Sequence, residues 1–255
     1  MNERGRWREV LLYQAWCHLR LESERLWVGY LWWPMETFLE MGLLYAVFHG
    51  LLGTETPHYL SFLLCGLVAW RWLAQGVTRA APSILQNQPL ATQVFVPKLL
   101  FPAAILLADA VRAGVGVTVL LVFLRLDGLA PLGSLAGFAP VLAAHFLFVA
   151  ALGLWAAALV PFLRSLLVGL DVGLRFAMLG SGVFFDLSRV GGSAGALLAW
   201  NPAALLLGQW RCVLVEGRAP DAAVLAAIAA GSLVAIAGAH AFVSRRELLY
   251  PRLPA

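Results

Sequence analysis

Five histidines, His18, His49, His58, His145 and His240, are scattered through the chain, and no HExxH pattern or paired acid accompanies them at a loop edge. Zinc chemistry needs such spacing, because two imidazoles four residues apart share one helix face and one metal. The sequence therefore points to no metal site and no catalytic residue. Lys98 is the only lysine, and Pro97 precedes it, so the phosphate-cradling pattern GxxxxGK[ST] is absent. Cys17, Cys65 and Cys212 lack CxxC spacing and read as small apolar fillers. What is left is a set of charges inside apolar stretches: Glu36 and Glu40, Arg71, Asp109 with Arg112, and Asp171 with Arg175. Charges there are costly and face a bundle interior or water. Glu36 and Glu40 serve either as polar lining or helix contact, or lie at the interface ahead of a later-starting span. Arg71, between Trp70 and Trp72, can snorkel, pair with an acid of another span or stack on an indole. The two acid–base pairs, three and four residues apart, read as local neutralisation, with a proton relay as the alternative.

The chain that carries them has 255 residues, 61% hydrophobic and 13% charged, which excludes an ordinary soluble domain. It reads as one polytopic membrane domain over residues 1–255. Its first residues mix acids with arginines and show no signal-peptide pattern. The net charge of +4 speaks to loop orientation and not to nucleic acid.

Residues 4–28 are charged and periodic, with Leu12, Ala15, Trp16, Leu19 and Leu26 on one stripe. This predicts an amphipathic helix in the interface plane; a helix packed on a partner is the alternative. Apolar spans are expected at about 30–51, 59–77, 99–124, 132–160, 166–185 and 221–243. Residues 79–98, polar and punctuated by Pro82, Pro89 and Pro97, exceed the usual helix–helix connection of about 2–8 residues. Between the last two spans, Gly191, Gly192, Gly195 and the Asn201–Pro202 pair break an apolar stretch into pieces too short to cross. Broken helices at membrane depth survive only inside protein or beside a wet cavity. Two short re-entrant helices over about 185–215 are therefore expected. Eleven basic residues fall on the side of the termini against four on the other, which predicts cytosolic termini, an inner 79–98 loop and an outer re-entrant segment.

Three patches in register resemble a known family. Val28–Glu36 reads VGYLWWPME; residues 86–97 read QNQPLATQVFVP; and Trp200–Pro220 carries Asn201, Pro202, Arg211, Gly217 and Pro220. They resemble the membrane permeases of type 2 ABC exporters, in the subfamily exporting capsular polysaccharide, O-antigen and teichoic-acid glycans. Thr37 stands where that family usually has Pro, Gly208 where it often has an acid, and Asp186 where Pro is common.

The resemblance implies an all-α permease of six transmembrane helices in the bacterial cytoplasmic (inner) membrane. It implies a homodimer joined to two copies of a cytosolic ABC ATPase, which would hold the ATP and magnesium, with no cofactor in this chain. A lipid-linked glycan would pass outward between the copies, among membrane lipids, and periplasmic export partners are also compatible. ATPase coupling would involve Arg20 and Arg25 of the N-terminal helix and Pro82, Asn87, Gln88 and Pro89 of the inner loop. Asn201, Pro202 and Arg211 would shape the outer exit. Sugar rings stack on aromatic faces, so Tyr30, Trp33, Phe38, Tyr45, Phe176, Phe184 and Phe185 are path-lining candidates, an interfacial aromatic belt being the alternative for the first of them. Two other readings stay open: an ABC permease for a drug or small lipid, and a membrane-embedded acyl- or glycosyltransferase.

Overall fold

The computed structural model describes residues 3–25, 32–47, 58–88, 96–129, 135–185 and 200–246. Its regular elements are helices: α1 (Glu3–Arg25), α2 (Trp32–Tyr45), α3 (Tyr59–Ala80), α4 (Ser83–Gln86), α5 (Leu100–Leu126), α6 (Leu135–Leu159), α7 (Leu166–Gly180), α8 (Pro202–Leu214) and α9 (Ala222–Arg245). Four stretches are long and apolar enough to cross a membrane: Tyr59–Gln86, Leu100–Leu126, Gly137–Leu159 and Ala222–Arg245. α2 and α7 occupy the expected first and fifth spans with 14 and 15 residues. At 1.5 Å per residue they are about 21–23 Å long, short of the roughly 30 Å hydrocarbon core. By length, then, the described structure supports four crossings where six were expected. Of the outer segment, α8 is one short helix; residues 186–199 lie outside the described residues.

α3 is the centre. Ser61 meets Asp127 and Arg79 meets Asp109, so α3 and α5 run antiparallel. Ala80 approaches Gly153 while Trp72 stacks on His145, so α3 and α6 run parallel. Leu166, Leu170 and Leu174 pack about Val77, and the chain just past α7 reaches Phe62 through Arg211, so α7 is antiparallel to α3. Pro220 sits by Gly137 and Trp155 Nε1 donates to Ala235 O at 2.8 Å, which makes α9 parallel to α6. The main apolar core lies between these helices around an aromatic knot: Trp72 on His145 at 4.8 Å, and Phe138 edge-on to Trp210 at 4.9 Å.

Close approach of α3, α5 and α6 needs small residues. A Cβ on Gly153 would lie 2.9 Å from Leu106 Cδ2 and 3.2 Å from Ala80 Cβ. The first neighbour can turn aside; the second is fixed to its backbone.

The N-terminal helix departs from one expectation. α1 packs lengthwise on a partner: Trp7, Val10 and Leu11 lie against Val96, Leu100 and Phe101, Ala15 and Leu19 against Ala104 and Ala108, and Glu22 reaches Arg112. It therefore runs parallel to the first half of α5. The predicted stripe divides: Ala15 and Leu19 face protein, while Leu12 and Trp16 are exposed beside Tyr13 and Leu21. The reason is that α5 offers small residues, Ala104 and Ala108, into which the Leu11–Ala15–Leu19 ridge fits.

The inner loop begins as structure. α4 follows α3 after a turn at Ala81–Pro82, Ser83 and Ile84 are buried, and Asn87 Nδ2 donates to Ser83 O at 2.8 Å. Ile84 packs against Ala157, Ala158 and Val243. Pro89 lies outside the described residues.

Gly153→Ala is expected to cost about 1–3 kcal/mol through forced separation of α3 and α6. Gly169→Ala, in α7 with open space at its Cβ, should stabilise by about 0.5–1 kcal/mol as an ordinary helical Gly-to-Ala change. Melting of the two purified variants beside the parent checks both signs. At the opposite end, Asp127 accepts hydrogen bonds from His58 Nδ1 at 2.9 Å and from Ser61. Burial pushes its carboxyl up, but the His58 and Ser61 bonds outweigh that and hold it below the usual carboxylate value. Its contribution to stability is thus present above the ordinary carboxylate pKa of about 3.9 and is lost as pH falls through the lower folded value. Asp127→Asn should flatten the loss of melting temperature between neutral pH and that acid range.

Candidate functional site: a polar trail along one helix

α3 carries Arg71, Gln75 and Arg79 at four-residue spacing, so one face of a helix otherwise buried in apolar packing is polar throughout. Two cavities open on that face. The first, about 330 Å³, lies between α1, α2, α3 and α5. The second, also about 330 Å³, lies between α2, α3 and α7. Arg71 and Gln75 line both, so the two cavities flank the same stretch of α3 and form a polar trail of residues along it.

One end of the trail is a square of charges. Asp109 accepts from Arg79 at 3.4 Å and from Arg112 at 3.2 Å, and Glu22 pairs with the same two arginines at 3.3 and 3.1 Å. Asp109 is only 2% exposed. Its charge is offset there by the two arginines, and Glu22 balances the second of their positive charges. Sequence spacing indicated the Asp109–Arg112 pair. It placed Arg79 in the loop and gave Glu22 no role, so the square was missed. The i, i+4, i+8 recurrence of Arg71, Gln75 and Arg79 would have revealed its α3 side.

The middle of the trail is Arg71, which pairs with Glu36 and, at 2.9 Å, with Glu40. Of the roles open to Arg71, pairing with acids of another helix is the one observed. Glu36 and Glu40, one turn apart, fix α2 to α3. The far end is Asp171 and Arg175, paired at 2.9 Å and both exposed, 56% and 78%. This is the expected local neutralisation, with the difference that the pair stands in a cleft and not inside packed protein.

Phe38 and Phe176 are exposed, Phe176 with Val168, Val172 and Leu179 on the outward face of α7. Phe184 packs against the main core, and its carbonyl accepts from Tyr59 Oη at 3.1 Å; Phe185 is half-buried. Tyr30 and the side chains of Trp33, Tyr45 and Arg25 lie outside the described residues. Arg20 stacks over Trp16 at 5.3 Å on the exposed face of α1. Pro82 precedes α4, and Asn87 and Gln88 are half-buried just beyond it.

The Trp200–Pro220 motif acquires a physical meaning. Asn201 caps α8, accepting from Ala203 N at 3.0 Å, with Pro202 at the first helical position. Its Nδ2 also donates to Ser181 Oγ at 3.2 Å. Arg211 is buried and donates to three carbonyls: Phe62 O at 3.2 Å, Gly182 O at 2.8 Å and Val183 O at 2.8 Å. Its guanidinium lies 3.5 Å over the Phe62 ring. Gly182 has φ 69°, a left-handed conformation that turns the chain so its carbonyl meets Arg211. Both motif residues thus fasten α8 to the end of α7, and Arg211 adds α3.

Arg211→Met should leave three carbonyls unsatisfied and cost about 1–3 kcal/mol or more. Arg211→Lys should recover little, since an ammonium cannot reproduce the planar fork. Melting temperatures of the two variants, expected close together and well below the parent, check this.

No family model matches the chain. Three curated proteins, each described as "O-antigen export system permease protein RfbA", are similar to it. The one from Myxococcus xanthus is 25% identical over 250 residues, covering 97% of this chain and 96% of its own length. Two from Klebsiella pneumoniae are each 22% identical, over 200 and 190 residues, covering 78% and 74% of this chain.

Proposed function

We propose that this chain is the membrane permease of a type 2 ABC exporter that moves a lipid-linked polysaccharide, of O-antigen or capsular type, across the cytoplasmic membrane. The observation that carries this is the end-to-end similarity to O-antigen export permeases, 97% of the chain against one of them. The structure supports the transport side of the reading. Paired but exposed charges stand on a helix packed against a membrane-crossing one, an arrangement that suits a wet path there.

The finer features follow as parts of the same proposal. The strand of charges on α3, opened between α2 and α7, forms one wall of a path, and a second copy supplies the other. The alternating directions of α3, α5, α6, α7 and α9, with α2 added as a first crossing, favour six crossings with both termini in the cytosol. α8 is then an outer, re-entrant helix held at the mouth. ATP and magnesium bind a separate ATPase, because the sequence carries no phosphate-binding loop. The ATPase presses on α1 and α4: α4 is seated on α5, α6 and α9, and α1 is joined through Glu22 to α3 and α5, so force at either reaches the trail.

Co-expression with an ATPase encoded beside this chain, followed by purification through a tag on the permease, tests the proposal. Stable co-purification and glycan export that depends on ATP hydrolysis are expected. Separation of the two chains, or export that continues with a hydrolysis-dead ATPase, overturns it.

A further inference from the structure

The geometry points to a binding site for uncharged pyranose rings in the cleft between α2 and α7, with Glu40–Arg71 on one wall and Asp171–Arg175 on the other. This rests on the permease reading and adds the class of sugar and the residues that grip it. The cleft has about 330 Å³, within the usual range of roughly 300–1,000 Å³ for small-molecule sites. Each wall presents a carboxylate joined to a guanidinium at 2.9 Å. A sugar's vicinal hydroxyls both donate and accept, so a diol can donate to the carboxylate while accepting from the guanidinium beside it. Gln75 and Thr78 on the floor offer further partners, and Leu67, Leu174 and Met178 supply apolar surface for the ring's CH face.

The charges select the sugar. Glu40 and Asp171 balance Arg71 and Arg175 within the cleft, and Arg71 is neutralised again by Glu36. An acidic residue such as a uronate would meet no surplus positive charge, and its carboxylate would have to displace one already in place. A neutral hexose or deoxyhexose breaks no ion pair. Exposure supports the same assignment. Arg175 is 78% and Asp171 56% exposed, so both stand where hydroxyls or water reach them, unlike the enclosed Asp109 square. Arg218–Glu216 is exposed as well; the Asp171–Arg175 pair differs in lining a cleft that faces a second ion pair.

The test uses the permease–ATPase complex in lipid nanodiscs, with Cys17, Cys65 and Cys212 replaced by Ser or Ala and Thr78→Cys introduced on the cleft floor. Maleimide labelling is timed alone, with a neutral mannose oligosaccharide, and with a galacturonate oligosaccharide of equal length. The mannose probe should slow labelling, and the galacturonate probe should not. Asp171→Asn with Arg175→Gln should reduce the mannose effect by about tenfold to a hundredfold, as lost hydrogen bonds to charged groups imply. The exchange variant Asp171→Arg with Arg175→Asp keeps an ion pair and the helix's stability but moves donor and acceptor, so it should not restore protection. Protection by neither probe, equal or stronger protection by galacturonate, unchanged protection in the neutralised variant, or full restoration by the exchange each overturns the assignment. ATPase association and hydrolysis in the same sample separate the two failures: if both are intact and protection is absent, only the sugar site falls.

Discussion

A charge at membrane depth must be enclosed by opposite charge or kept wet, and the polar face of α3 obeys both halves of that rule in order. At Arg79 the enclosure is complete, because two acids and a second arginine surround one another with Asp109 almost wholly buried. At Arg71 two acids from α2 close in from one side. At Arg175 there is a single partner and open space. The helices are positioned by what these charges need: α2 is held where Glu36 and Glu40 meet Arg71, and the end of α1 where Glu22 meets Arg79 and Arg112.

That arrangement gives α1 a role its composition alone does not suggest. α5 has 27 residues and is about 40 Å long, roughly 10 Å more than the hydrocarbon core requires. α1 lies along the first half of α5, apolar ridge against its small residues, and ends in the charge square. Its last turn is tied by the Glu22 ion pairs to two other helices.

Much of the fold was legible in the sequence because length and hydropathy are local properties: the helices at 59–80, 100–126, 135–159 and 222–245 fall where apolar runs of spanning length fall. The outer motif was legible as a boundary, since Pro202 and Asn201 dictate a helix start. Its purpose was not. That Arg211 would donate to carbonyls of residues 62, 182 and 183 depends on the packing of three helices and on a positive φ at Gly182. Likewise the Asp171–Arg175 pair was legible at i, i+4, but whether it faces lipid, protein or water is decided by the neighbours of α7. Periodicity left two readings of α1 open because both its faces carry apolar residues; the fit to Ala104 and Ala108 shows which face meets α5. Aromatic content was the least informative signal. Phe184 and Phe176 read alike in the sequence, yet one packs on the core and the other stands in the open.

The fastening of α7 is unequal at its two ends. Beyond Gly180, Arg211 and Asn201 grip the chain through directed hydrogen bonds. At its beginning, Leu166, Leu167 and Leu170 merely rest on Val77 and Val160 by greasy contact, which tolerates sliding at little cost. A rod bolted at one end and lubricated at the other swings like a gate on its post. Such a gate widens the cleft first at the Leu166 end, while the hinge at Gly182 keeps its bonds to Arg211.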